Sequence, residues 1–282
     1  MGQDGEVYPL ARDQTESARL NDQHNIIVDL VGGVIDSSIP LDKIHAVADV
    51  GTGTGIWLQE ARSVLAKSSP KPDRYFHGFD ISAAQFPPST TNFDFSVQDI
   101  LKPFPQEHHN CYDLVYIRML VSVLSKTDYA TAVANLLQIL KPGGYVQWVE
   151  LDSSAWDDGN LPSDPRAALI IQTWLSFFDL NDLSKCPPKT IRDTFETSGL
   201  EVMTMRTFSM SENTTRQRAQ KWQYQAFDAV AAVLMLKTGV AADMESAKER
   251  AADTMRGLQE WLSEGNLLDL KFGTVVGRKS AL

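Results

Sequence analysis

Three glycines, Gly51, Gly53 and Gly55, alternate directly after the apolar run Ala46–Val50, and Asp49 lies just inside the end of that run. Glycine lets the chain turn sharply and lets a ligand touch main chain that a Cβ would shield. If a helix follows, its first N–H groups are free to meet a ligand. Thr52 and Trp57 flank the same loop. Two more acids sit where apolar runs stop: Asp80 closes Phe76–Asp80, and Asp99 follows Phe93–Val97. A carboxylate at the end of a second strand can accept from a ribose diol, each such bond being worth about 1.5–3 kcal/mol. Asp99 can accept from an exocyclic amine, with Ile81 and Ile100 flanking a flat ring. The plainer readings are a helix cap for Asp80 and a turn residue before Pro103 for Asp99. The dinucleotide fingerprint G-x-G-x-x-G is not completed, because Ile56 stands where its third glycine belongs. That argues against a nicotinamide-dependent enzyme.

These residues need elements to hold them. Asp13 and Glu16 predict a helix start, and Leu20, Ile27, Leu30, Val31 and Val34 continue at helical spacing up to Pro40. Val7–Leu10 before it is read as extended. From residue 46 the pattern is strand, loop, helix, repeated. Strands are predicted over Ala46–Val50, Tyr75–Asp80, Phe93–Val97, Asp113–Ile117 and Tyr145–Glu150. Helices are predicted over Ile56–Ala66 and Ala130–Leu140, the latter closed by a KPGG turn at Lys141–Gly144. Such alternation builds a parallel sheet with helices on both faces. Helices over Arg166–Phe178 and Ile191–Ser198 follow, then a strand over Glu201–Ser209. Two long helices, one carrying Trp222, Phe227, Val230 and Leu234, lie before a last strand within Leu267–Arg278.

The 282 residues are 43% hydrophobic and 22% charged, with a net charge of −10. Those values describe an ordinary globule and argue against nucleic acid or an anionic membrane as partner. Cys111 and Cys186 form no disulfide framework, and no His/Cys spacing suggests a metal. No apolar run reaches membrane-spanning length, and the MGQDGE start carries no secretory signal. The expected location is the cytoplasm.

Taken together, VADVGTGTGIW from Val47, Phe79-Asp80, Gln98-Asp99, YDLV at Tyr112–Val115 and LKPGG at Leu140–Gly144 resemble class I S-adenosylmethionine-dependent methyltransferases. The resemblance implies a Rossmann-like α/β fold: a seven-stranded, mostly parallel sheet with helices on both faces, its last strand antiparallel and inserted. An N-terminal helical segment and an inserted helical hairpin lid accompany that core. The implied units are 1–45, a cofactor-covering segment; 46–210, the core with an acceptor loop and helix at 151–198; 211–265, the lid; and 266–282, the last strand. By the same resemblance Asp49, Gly51, Gly53 and Gly55 wrap the methionine part, Asp80 holds the ribose and Asp99 the adenine amine. Tyr8, Pro9, Leu10, Asp13, Glu16, Arg19, Leu20, Gln23 and His24, with YIR at Tyr116–Arg118, are similar to fungal secondary-metabolism methyltransferases, the LaeA-like group. In that group the fourth strand often ends His-x-Arg. Tyr116 stands in the histidine's place, so a role for that histidine does not carry over. Tyr8, Trp57, Tyr116 and Arg118 complete the expected cofactor contacts.

The acceptor belongs beyond the fourth and fifth strands, since ligands sit at the carboxyl ends of open parallel sheets. Trp156, Trp174, Phe178, Trp222 and Phe227 are the candidate walls, although ordinary helix packing also explains aromatics at such spacing. His24, Tyr116 and Glu150 are the candidates for a base, although positioning and desolvation can suffice without one. The expected activity is S-adenosylmethionine-dependent N- or O-methylation of a small molecule, a secondary metabolite, with S-adenosylhomocysteine as product. The alternative is a regulatory or binding protein on the same scaffold, acting through protein partners.

Overall fold

The computed structural model describes residues 13–68, 70–71, 73–88, 92–157 and 159–281. Tyr8 and the Val7–Leu10 segment lie outside the described residues.

Helix α1 (Gln14–Val31) starts where the Asp13 carboxylate accepts from Glu16 N at 2.9 Å. Glu16 does not close a capping box. Its carboxylate instead takes a forked pair of bonds from Arg19, at 2.6 and 2.7 Å. Gly32, at φ 82°, stops the helix well before Pro40. Then come β1 (Ala46–Val50), α2 (Ile56–Ser68), β2 (Tyr75–Asp80), β3 (Asp94–Val97), β4 (Tyr112–Arg118) and α3 (Asp128–Ile139). They are followed by β5 (Leu140–Asp152), α4 (Ser154–Asp157), α5 (Pro165–Leu180), α6 (Pro187–Thr197) and β6 (Leu200–Ser209). Helices α7 (Met210–Asn213), α8 (Arg216–Asp228), α9 (Ala231–Lys237) and α10 (Met244–Ser263) separate β6 from β7 (Lys271–Lys279).

The seven strands form one sheet in the order β3-β2-β1-β4-β5-β7-β6. β7 is antiparallel to both neighbours, and the other pairings are parallel. The expected α/β architecture is therefore present. Alternation along each strand sends side chains to two cores. Val47, Leu114, Tyr116 and Val149 join α1, α2, α5 and the lid helices. Ala48, Val115, Ile117 and Trp148 join α3 and α6 on the opposite face.

Two expectations are corrected. The Lys141–Gly144 run is not a turn between elements but part of β5, with Gly143 at φ 78° and a register shift opposite Tyr112 and Leu114. A left-handed residue inside a strand makes a bulge, which bends the strand without ending it. The lid is also more than a hairpin. Its first expected helix is broken at Ala229–Val230 into α8 and α9, and a capping box of Asp243 and Ser246 starts α10.

Candidate functional site

The strand order reverses its direction of travel between β1 and β4, and ligands bind outside the carboxyl ends at such a point. A cavity of about 460 Å³ lies there. Its wall begins with the main chain of Gly51, Thr52 and Gly53. Gly51 and Gly53 have φ of 77° and 52°, a region that side chains resist. A Cβ on Gly51 would stand 3.3 Å from Leu120 Cδ2.

Asp80 and Asp99 line the same cavity, with Ile81 and Ile100 beside them. Asp80 Oδ2 accepts from Gly53 N at 2.9 Å and Oδ1 from Ser82 N at 3.1 Å. It thus ties β2 to the glycine loop while presenting its charge to the cavity. Asp99 Oδ1 accepts from Leu101 N at 2.9 Å, which fixes its direction after β3.

Arg118, at the end of β4, also faces the cavity. Its Nη1 donates to His24 Nδ1 at 2.9 Å, and His24 Nε2 lies 2.9 Å from Glu60 Oε2. Burial, reinforced by Arg118, lowers the His24 pKa to about 4, so the ring is neutral at pH 7. Arg19 lines the cavity too, but its guanidinium is held by Glu16 and Gln23. Among the described residues Arg118 has no carboxylate within ion-pair distance.

The loop after β4 closes one side. Met119 has φ 58°, a left-handed turn at a non-glycine residue, and its N–H donates to Val149 O at 3.1 Å. That turn aims Leu120 N and Val121 N at Glu150, at 2.6 and 3.2 Å. Trp148 Nε1 donates to the same carboxyl at 2.9 Å. Glu150 is wholly buried, and desolvation outweighs these bonds, raising its pKa to about 7.

Much of the remaining lining is apolar: Trp174 from α5, Trp222, Phe227 and Val230 from the lid, and Leu151 and Leu270. Trp174 Nε1 donates to Ser153 Oγ at 3.3 Å.

Several expected contacts lie behind this wall instead. Trp57 is buried, stacks on Tyr116 at 3.8 Å between ring centroids, and donates to Val34 O. Both rings belong to the core under β1 and β4: Tyr116 because its position in the strand alternation points to that face, and Trp57 from the first turn of α2, which packs there. Asp49 is buried and accepts from Thr52 Oγ1 at 2.7 Å, bracing the loop from below. Its pKa is raised to about 7 by desolvation. Gly55 is off the wall as well, where a Cβ would meet the Phe95 ring at 2.9 Å. Phe178 packs behind Trp174, and Trp156 is buried in the same core. His24 and Glu150 reach the site only through Arg118 and the Leu120 loop.

Residues not singled out for the site include Arg19, Leu20 and Gln23, Gln85, and the Met119–Leu124 loop. The first three share a face of α1 at i, i+1 and i+4, a signal visible in the sequence. The loop carries no such signal, since a methionine does not announce a left-handed turn.

A doubly wound sheet with a glycine loop and strand-end acids around one cavity is the layout of a nucleotide-cofactor α/β protein. The chain belongs to the methyltransferase domain family, which matches residues 38–205. It is 44% identical over 164 residues to the methyltransferase grgD of a Penicillium species, covering 56% of each chain. It is 37% identical over 145 residues to the N-methyltransferase sirN of Leptosphaeria maculans, covering 51% of this chain and 49% of that one. The match thus spans about half the length of these relatives. In fold it is similar to the cyclopropane synthase MmaA2 from Mycobacterium tuberculosis, with a TM-score of 0.52 and 13% identity, over 96% of this chain and 90% of that one. No helix among the described residues is long and apolar enough to cross a membrane.

Proposed function

We propose that this chain binds S-adenosylmethionine and passes its methyl group to a small, largely apolar acceptor. One observation carries the reading. A single cavity joins the bare main chain of Gly51 and Gly53 and the acids Asp80 and Asp99 to an aromatic wall of Trp174, Trp222 and Phe227.

The residues present fit the cofactor. Asp80 and Asp99 suit a ribose diol and an adenine amine, with each charge-assisted bond contributing about 1.5–3 kcal/mol. Arg118 suits the carboxylate of the methionine end. When bound, the cofactor supplies an electrophilic methyl group on a positively charged sulfur. The chain's own contribution is placement and dryness: holding a nucleophile in line and excluding water. Glu150, His24 and Tyr116 are positioning residues in this reading. The Glu150 oxygens are committed to Leu120, Val121 and Trp148, and His24 Nδ1 already accepts from Arg118. Burial pushes the Tyr116 phenol well above its usual range. The name of sirN, an N-methyltransferase, favours nitrogen as the receiving atom.

Calorimetric titration with S-adenosylhomocysteine tests the cofactor half, and incubation with methyl-labelled cofactor and a metabolite extract tests the transfer. Saturable binding and a product one methyl heavier are expected. Failure to bind S-adenosylhomocysteine removes the assignment. Binding without product, together with a stable protein partner, supports the regulatory alternative.

A further inference from the structure

The acceptor end of the cavity contains two indoles in different states. Trp174 is satisfied by Ser153, as described above. Trp222 is 4% exposed and lines the same cavity. Its Nε1 is buried and has no hydrogen-bond partner among the described residues. Indole N–H is a donor only, so no rearrangement of its own proton can relieve it. Buried polar groups are nearly always paired, and an orphan beside a cavity calls for an explanation. Phe272, at 5.5 Å and 66° to the indole, packs against the ring but offers no lone pair.

Resting on the methyl-transfer reading above, we propose that Trp222 is a specificity-determining residue, whose indole N–H binds a carbonyl oxygen on an otherwise apolar methyl acceptor. The neighbours support that class. Ala226, Phe227, Val230, Leu151 and Leu270 give the body of such a molecule an apolar bed. Among the described lining residues the charged ones are Asp80, Asp99, Arg118 and Arg19; the first three serve the cofactor in this reading and Arg19 is already held by Glu16 and Gln23, which leaves a cationic or anionic acceptor no free counter-charge. Gln85 Nε2, a second buried donor without a partner, lines the same cavity from the segment that follows β2 and Asp80. The carbonyl is a recognition point, separate from the atom that receives the methyl group.

Oxindole and indoline test this, because they share one bicyclic frame and differ by a carbonyl against a methylene. Each is titrated into the full chain saturated with S-adenosylhomocysteine, for wild type and Trp222→Phe. Oxindole is expected to bind about tenfold more tightly than indoline to wild type, a difference that Trp222→Phe abolishes. In 15N-tryptophan-labelled protein, the indole proton resonance missing from Trp222→Phe should move downfield with oxindole and not with indoline. Equal binding of the two compounds, binding of neither, a preference that survives in Trp222→Phe, or an unmoved resonance overturns the proposal. Loss of S-adenosylhomocysteine binding itself would overturn the methyl-transfer reading instead, so the two failures are distinguishable.

Discussion

Arg118 Nη1 donates to His24 Nδ1 across 2.9 Å, joining residues 94 positions apart. Because Nδ1 accepts, the ring proton resides on Nε2 and is directed at Glu60, 2.9 Å away. A neutral histidine so placed orients the guanidinium without neutralising it. His24→Ala should therefore weaken S-adenosylhomocysteine binding about tenfold, the worth of one well-placed hydrogen bond to a charged group. Calorimetry on the variant checks this, and an unchanged affinity would show that Arg118 does not depend on His24.

Asp80 faces the cavity and also holds Gly53 N and Ser82 N. Asp80→Ala is expected to reduce S-adenosylhomocysteine affinity by about 10–100-fold. Asp80→Asn keeps an acceptor for Gly53 but loses the charge, so it should fall between the variant and wild type. The same titration ranks all three proteins, and wild-type affinity in both variants would exclude Asp80 from the site.

Glu150 is an anchor for the loop over the cavity. Glu150→Ala leaves Leu120 N, Val121 N and Trp148 Nε1 without their acceptor and should cost at least about 3 kcal/mol of stability. Glu150→Gln retains one acceptor oxygen and should cost less. Urea unfolding of both variants measures the order, which reverses if the carboxyl were merely a penalty of burial.

Stability should respond to pH through two opposed sets of groups. Asp49 and Glu150 have folded pKa values raised to about 7, so the folded chain holds protons that the unfolded chain has lost. Their contribution is present at low pH and fades as pH rises through about 7. His24 and His77 are lowered to about 4 by burial, so their contribution is present above the ordinary histidine range and lost as pH falls toward about 4. The two sets partly cancel between those limits. Asp49→Asn removes one member of the first, so its stability should climb more steeply with pH from 4.5 to 7 than that of wild type. Chemical denaturation across that range reads the slope, and parallel profiles would show that Asp49 does not titrate there.

Gly51→Ala places a side chain at φ 77° and a methyl against Leu120. The backbone penalty is about 1–2 kcal/mol. Affinity for S-adenosylhomocysteine should fall further than stability alone explains, as paired titration and melting experiments would reveal.

Much of the site was legible because its signals are local. A glycine at positive φ, an acid where an apolar run stops, and a period of two in a strand follow from sterics and burial within a few residues. Gly51, Gly53, Asp80, Asp99, Ile81 and Ile100 are thus candidates from local signals, and all six line the cavity, as does Arg118. The aromatics divided less predictably. All seven belong to one core, but Trp174, Trp222 and Phe227 also line the cavity, whereas Trp57, Tyr116, Trp156 and Phe178 do not. An aromatic ring has the same burial preference in both settings, so its type does not reveal which side it faces.

The sequence by itself determined the alternation of strands and helices and the place where the main chain is bare, since both are written in spacing and backbone sterics. Only the tertiary structure decided that His24 stands behind Arg118, that Glu150 grips the loop turned by Met119, and that one indole of two is left without an acceptor. Those outcomes depend on how β4 and β5 register, and on how the lid packs over them, which join residues far apart in the chain.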